Sequence, residues 1–522
     1  MHVCLLLAAF PLGMLASLVL LPSRLAQAQH RRLRQWTTTW TTLLALGALI
    51  LAGGLLGGWL PTLGYQWSGP AGPISLLLID PLAALMLALV SCLGWVVCRF
   101  SHRYLDGEPE QGAYYRWLAV TLAAVGSMVI CGNLLGFLLA WIATSLGLHG
   151  LLTLYHQRPA AHEAAWTKFI ISRGGDALLL VACLIVYQQL NTLDFQPLIA
   201  ILTSDGFVAT PTLQLASSLL AMGAMIKSAQ VPFHVWLPQT METPTPVSAL
   251  MHAGIVNAGG FLLIRLSPLV SLSATAMSCL AIGGLLTLSY GAIVMLTQTS
   301  IKRSLAYSTV AQMGFMMLQC GLGAYTAAML HIIAHALYKA HAFLSSGSVL
   351  ATPPLAAATT DGARRRAAGP AWLLAGTICL AWLGLTLAVL QIAPWTKPGG
   401  WPLIAILWLA LASWLARLAT TAPPRLLLRS SLVAGGLCLS YLGGYWLLDR
   451  GLADSLPHLP LPTTEWPILA ALGLAFAGLL AVQHLQLSRT TPTWLRHWHV
   501  HASHGFYLEA WFRKTYRHLV SQ

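Results

Sequence analysis

From one end to the other, the chain is a succession of apolar runs separated by short polar stretches. Each run is about twenty residues long, enough for one helix to cross a hydrocarbon core of roughly 30 Å. The runs lie near 3–21, 38–60, 74–98, 116–131, 133–154, 165–189, 213–237, 245–266, 274–297, 303–320, 324–350, 370–393, 401–419, 428–448 and 465–486. Lipid offers main-chain polar groups no partner, so each run must bond within itself. The expected fold is therefore an all-α integral membrane protein with about 15 transmembrane helices and little room for sheet. Composition agrees: of 522 residues, 57% are hydrophobic and 8% charged, far from the balance of a soluble domain.

The net charge of +14 does not point to nucleic acid, because the basic residues form short clusters between apolar runs. Arg31 and Arg32, Arg99 and Arg103, Arg158, Lys302 and Arg303, Arg364 to Arg366, and Arg425 and Arg429 fall in alternate loops. The intervening loops, such as "LPTLGYQWSGPAGP", are neutral or acidic. This alternation places the N-terminus outside and the C-terminus inside, with Arg265 and Lys397 as the two exceptions. Near the start, "AQA" resembles a signal-peptide cleavage site. However, Arg24, Arg31, Arg32 and Arg34 follow the apolar stretch instead of preceding it, so it reads as a retained first span. The nine cysteines lie in or beside apolar segments without a C-x-x-C pair, as packing residues do.

A lysine or aspartate at a helix centre costs about 2.5 to 3.5 kcal/mol on insertion scales, so each needs a partner, a wet cavity or a task. In "AMIKSAQVPFHVWLPQ", Lys227 sits deep in an apolar run that then meets Pro232 and Pro238, and the next run opens with "TPTPVSALMHAG". Proline removes a main-chain donor and disturbs the preceding turn. Broken helices at membrane depth point to an ion site in a transporter. Asp176, with Arg173 one turn earlier, is available in "SRGGDALLL" to share the cost of burying Lys227. A lysine held in that way can take up and release a proton.

Further along, His331, His335 and Lys339 in "HIIAHALYKA" recur every four residues and fall on one helix face. A proton relay, a satisfied polar stripe and a two-histidine metal site are all compatible with that spacing. The relay fits the residue types best, since neutral imidazole both donates and accepts, and no carboxylate or cysteine stands nearby to complete a tetrahedral site. No metal site is expected in the chain. His252 follows the second break. The stretch "RHWHVHASHGFYLEAWFRK" carries His497, His499, His501 and His504, and its mix of aromatic and basic residues suits a membrane-surface or partner-docking segment better than a metal site.

Three stretches, "KSAQVPFHVWLPQTMETPTPVSALMHAG", "QTSIKRSLAYSTVAQMGFM" and "HIIAHALYKAHAFLSSGSVL", resemble the large antiporter-like membrane subunits of respiratory complex I (NuoL-type) and of Mrp sodium/proton antiporters. "IDPLAALML", with Asp80, and "AAWTKFIISRGGDALLL", with Lys168, Arg173 and Asp176, add to the likeness, which is strongest over residues 74–350. The resemblance implies two inverted five-helix repeats, each with a broken helix, and a midplane chain of lysines and histidines. It makes Lys227 the central lysine and matches His252, His331, His335 and Lys339 to the connecting relay. The corresponding division is 1–115 for N-terminal helices, 116–266 for the first repeat, 267–420 for a diverged second repeat, and 421–522 for C-terminal helices and a cytoplasmic tail.

Three departures narrow the resemblance. Ile142 in "AWIATSLGLHG" stands where the family has an acidic residue, leaving His149 or Asp176 to modulate Lys227. The second lysine-bearing broken helix is not recognisable in "AWLLAGTICLAWLGLTLAVLQIAPW". The sequence stops soon after "HGFYLEAWF", without the long lateral helix of complex I. Together these resemble the DabB-type branch, whose members serve inorganic-carbon transport. That branch implies an ion-translocating subunit of the bacterial inner membrane, with proton the expected ion and no cofactor in this chain. Its implied partner is a soluble, zinc-bearing protein similar to β-carbonic anhydrases (DabA-like) on the cytoplasmic face, which would carry out the carbon chemistry. A respiratory or Mrp-type antiporter subunit and a non-conducting membrane anchor are the other two readings.

Overall fold

The computed structural model describes residues 5–69, 72–348, 368–397, 399–421, 423–456, 471–478, 493–512 and 514. The cluster Arg364 to Arg366 and most of the run near 465–486 lie outside the described residues. The chain is mostly helical, and among the described residues 10 helices are long and apolar enough to cross a membrane. It is a multi-pass membrane protein. Large apolar side chains such as Leu373, Val389 and Leu428 are exposed on helix faces, as they are when lipid is the surrounding solvent. The run near 3–21 is interrupted, with a π-helical turn at Leu5–Ala9, helix α1 at Phe10–Ala16 and a 3-10 turn at Ser17–Leu20.

The expectation of an all-α chain needs one correction. After helix α2 (His30–Leu56), strands β1 (Leu63–Gly69) and β2 (Gly72–Ile79) form an antiparallel hairpin in which Leu63 pairs with Ile79. This segment connects apolar runs and is under no obligation to bond within a single helix. Its polar edge is tied down by side chains at helix ends. Asp194 accepts from the Ser75 amide at 3.0 Å, and Asn133 donates to the Ser75 carbonyl at 2.7 Å. The third span consequently starts at Pro81, not near 74. Asp80 caps helix α3 (Pro81–Tyr104) by accepting from the Ala83 amide, and proline suits the first helical turn.

The next helices are α4 (Gln111–Ile130), α5 (Leu134–Leu152), α6 (Pro159–Leu190), α7 (Phe195–Leu202) and α8 (Pro211–Lys227). They are followed by α9 (Thr245–Ala253), α10 (Ala258–Arg265), α11 (Ala274–Met295), α12 (Ile301–Gly321) and α13 (Tyr325–Leu344). One contiguous apolar core runs through these elements. Helices α11 and α12 cross closely because Gly284 and Gly314 face each other's backbone, where any Cβ would strike the partner helix. Helices α14 (Ala368–Leu390), α15 (Gly400–Thr421) and α16 (Pro424–Gly451) pack chiefly on one another around a smaller core.

The two cations that depart from the loop-charge alternation are both neutralised. Arg265 makes a two-pronged bond to Asp80, with Nη1 at 2.5 Å from Oδ2 and Nη2 at 2.8 Å from Oδ1, between the rings of Phe195 and Phe261. Lys397 Nζ lies 2.6 Å from Asp449 Oδ2. The Asp80–Arg265 pair is buried and joins the start of α3 to the end of α10 across a long stretch of sequence. Removing one partner strands the other charge in an apolar interior. Asp80→Ala is therefore expected to cost about 3 to 5 kcal/mol, seen as a lower thermal unfolding midpoint in detergent. Pairing Asp80→Leu with Arg265→Met should recover much of that loss.

Candidate functional site

Helix α8 stops at Lys227 for local reasons. Ala229 adopts φ +52°, a left-handed conformation unfavourable to a residue with a Cβ, and Pro232 and Pro238 follow. The intervening backbone finds other partners: the Val231 amide donates to Thr287 Oγ1 at 3.1 Å, and the Ser228 carbonyl accepts from Gln230 Nε2 at 3.0 Å. Only a four-residue helical turn at Trp236–Gln239 and a 3-10 turn at Thr240–Glu242 intervene before α9 begins at Thr245, with Pro246 in its first turn. Lys227 lies not in the middle of a span but on the last turn before the break.

The Lys227 side chain is 5% exposed, and its Nζ lies 2.5 Å from Asp176 Oδ1 on helix α6. Asp176 Oδ2 lies 2.7 Å from Arg173 Nη2, so one carboxylate serves two cations. Aromatic faces cover the rest. Lys227 Nζ is 4.8 Å from the Trp141 ring, and the Arg173 guanidinium is 5.0 Å from the Phe169 ring. Two glycines set the helix crossing. A Cβ on Gly175 would come within 2.8 Å of Lys227 Cγ, and one on Gly223 within 2.9 Å of Leu179 Cγ. Small residues at both positions let α6 and α8 approach until Lys227 reaches across to Asp176.

Of the two residues expected to replace the missing acid at Ile142, only Asp176 meets Lys227. His149 instead packs edge-on against Trp166 and Phe169, at 5.4 and 5.5 Å, and its Nδ1 has no hydrogen-bond partner in the protein. The reason is geometric: an imidazole one helix away is claimed by aromatic rings before it can reach the lysine. Lys168, present above only as part of the family likeness, is buried within electrostatic reach of Lys227, Arg173 and Asp176. Its Nζ donates to both the carbonyl and the hydroxyl of Ser145, each at 2.7 Å. The signal was present, since Lys168 lies in an apolar run just as Lys227 does.

A second polar group lies where α9 and α12 pack against α13. His331 and His335 have ring centroids 5.8 Å apart, and Phe315 closes over His331 at 5.3 Å. Lys339 is fully buried and donates to the Leu305 carbonyl at 3.1 Å. His252 stacks on Phe343 at 4.4 Å and lies within electrostatic reach of His335 and Lys339. Both ring nitrogens of His252 and His335, Nε2 of His331 and both amide atoms of Gln319 are buried without a hydrogen-bond partner in the protein. Buried polar atoms seldom remain in that state, which sets this group apart from an ordinary packed helix face. Among the described residues, no three His, Cys, Asp or Glu side chains converge as metal ligands.

Helix α17 (Thr493–Ser503) carries the remaining histidines. His497 and His499 face outward, while His501 and His504 contact the Tyr507 ring at 5.7 Å each. Helix α14, where a second broken helix was sought, is continuous and contains no charged residue.

Comparison with known proteins places this arrangement. Residues 131–389 match the family model described as "NADH:quinone oxidoreductase/Mrp antiporter, TM", and residues 74–115 match "NADH-Ubiquinone oxidoreductase (complex I), chain 5 N-terminus". The chain is 38% identical over 524 residues to the "Probable inorganic carbon transporter subunit DabB2" of Halothiobacillus neapolitanus, covering 98% of this chain and 93% of that protein. It is 44% identical over 287 residues to the "Probable inorganic carbon transporter subunit DabB" of Hydrogenovibrio crunogenus, a match spanning 54% of this chain and 53% of that one. In fold it is similar to a chain of the Mrp complex from Dietzia sp. DQ12-45-1b, with a TM-score of 0.65 and 23% identity over 96% of this chain and 59% of that chain. The chain thus belongs to the DabB-type inorganic-carbon transporter subunits, within the wider family of complex I and Mrp antiporter-like membrane subunits.

Proposed function

We propose that this chain is the proton-translocating subunit that energises inorganic-carbon uptake across a bacterial inner membrane. The observation that carries the reading is Lys227, a buried lysine ion-paired with Asp176 at a helix break. A proton arriving at Lys227 is held against the Asp176 carboxylate. The break interrupts the regular helix beside it, and His252, His331 and His335 provide imidazoles that both donate and accept, with Lys339 as a further donor on the same lane. Arg173 takes the other oxygen of the same carboxylate, so Lys227 shares its counter-charge. In this reading about 15 helices cross the membrane, with the N-terminus outside, the C-terminus inside, and inverted repeats over 116–266 and 267–420. The carbon chemistry belongs to a DabA-like soluble zinc protein on the cytoplasmic face, and proton movement makes accumulation one-way.

A second reading, a non-conducting anchor for that soluble enzyme, is favoured by one observation: α14 is unbroken and uncharged, unlike α8, which ends at Lys227. An antiporter subunit of a respiratory or Mrp-type complex would need an acid in the place of Ile142 or an equivalent, and Asp176 supplies one.

These readings separate in cells that require high CO2. With the soluble partner co-expressed, wild-type chain should restore growth in air, and Lys227→Ala should lower carbon uptake by about a hundredfold, the scale of a lost proton-transfer group. Equal growth of the two would leave the anchor reading standing. Collapsing the proton gradient should stop uptake; persistence of uptake, with dependence on sodium instead, would reassign the ion. Asp176→Asn leaves Arg173 and Lys227 without their carboxylate and is expected to destabilise the fold by roughly 3 to 5 kcal/mol, measurable as a lower unfolding midpoint of the purified chain.

A further inference from the structure

The broken segment after Lys227 contains a second buried titratable group. His234 is 1% exposed, and its Nε2 lies 3.0 Å from the Tyr290 hydroxyl on α11. Tyr290 in turn donates to the carbonyl of Gly505 at 3.0 Å. A hydroxyl has one proton, and a carbonyl can only accept, so His234 Nε2 must be the donor to Tyr290. The chain of hydrogen bonds thus runs outward from the helix break, through a half-buried tyrosine, and ends on a main-chain oxygen of the segment 493–512.

That segment is built to seat on this spot. Gly505, Phe506 and Tyr507 have φ of 59°, 50° and 62°, three consecutive left-handed residues, two of which carry a Cβ. Such a turn persists only when its surroundings hold it. Gln298 Nε2 donates to the Ser503 carbonyl at 3.3 Å, and Arg303 pairs with Glu509 at 3.0 Å. Gly505 sits so close that a Cβ there would lie 3.0 Å from the Tyr307 hydroxyl and 3.1 Å from that of Tyr290. Beyond the contact, His504 and Tyr507 are exposed.

We propose that His234 and Tyr290 form a proton port between the Lys227 break and the protein surface, and that the Gly505 turn is its gate. When the turn is seated, the Tyr290 proton rests on a carbonyl that has no proton to pass on, and the path is a dead end. When the turn lifts, water replaces the carbonyl. A proton taken up at Nδ1, which has no hydrogen-bond partner in the protein, then lets His234 give its Nε2 proton to Tyr290 Oη while Tyr290 releases its own to that water, leaving a neutral ring protonated at Nδ1; the reverse sequence brings a proton in. The charged groups facing the port are Arg303 and Glu509, which hold the seated turn, with the Tyr307 hydroxyl and the His504 ring beside it. This inference rests on the reading of Lys227 as the central proton site.

The test uses the full chain in proteoliposomes, with proton entry driven by a potassium diffusion potential and followed by an internal pH dye. Gly505→Ala forces the turn away from the two hydroxyls and should raise proton entry roughly tenfold, the weight of about one net hydrogen bond. Adding Tyr290→Phe to Gly505→Ala should return it to the wild-type level. Entry that stays high in that double variant marks general loosening and overturns the port. Entry unchanged in Gly505→Ala overturns the gate, provided hydrogen exchange over 493–512 shows that the turn has lifted. If it has not lifted, Glu509→Gln is substituted and judged by the same readout. Lys227→Ala in the Gly505→Ala background should abolish entry. Entry that survives there but is lost with Tyr290→Phe would keep the port and refute the central role of Lys227.

Discussion

Asp176 is the carboxylate around which the polar interior of the first half is arranged. A charge taken into hydrocarbon must be paired or neutralised, and here a single acid meets Lys227 on one oxygen and Arg173 on the other. The pair exists because Gly175 and Gly223 let two helices approach closely enough for a lysine to reach across. Asp80 plays the matching structural part, holding Arg265 between two phenylalanines and fixing the start of one helix to the end of another. The difference between the two acids is one of load. Asp80 meets one guanidinium with both oxygens, whereas Asp176 is shared between Lys227 and Arg173.

The two halves of the chain are built on unequal terms. Polar groups accumulate at the Lys227 break and in the lane of His252, His331, His335 and Lys339, all within one continuous core. Helices α14 to α16 pack on a smaller core, with α14 unbroken and without charge. An energetic asymmetry follows, because an apolar helix needs no compensation for burial while a broken one must satisfy its freed main-chain groups. Thr287 and Gln230 do this at the break. The segment 493–512 then closes the same neighbourhood from outside, through Gly505 against Tyr290 and Glu509 against Arg303.

Local chemistry was legible in the sequence. Apolar run length marked the helices, proline marked the break after Lys227, and a four-residue repeat put His331, His335 and Lys339 on one face, because each of these follows from neighbours in the chain. The hairpin was not legible, since its edge is satisfied by Asp194 and Asn133, far away in sequence. For the counter-charge of Lys227 the sequence left two options open, Asp176 and His149. The helix crossing chose Asp176 and gave His149 to Trp166 and Phe169.

By itself, then, the sequence determined that the chain spans a membrane, where its main broken helix lies and which residue types could carry a proton. Only the tertiary structure decided which charges neutralise one another, that Lys168 is a member of the cluster, and that Tyr290 links His234 to Gly505. The reason is physical: burial within a helix follows from its own side chains. A hydrogen bond between helices depends instead on a closest approach that packing sets, here to within 3.0 Å.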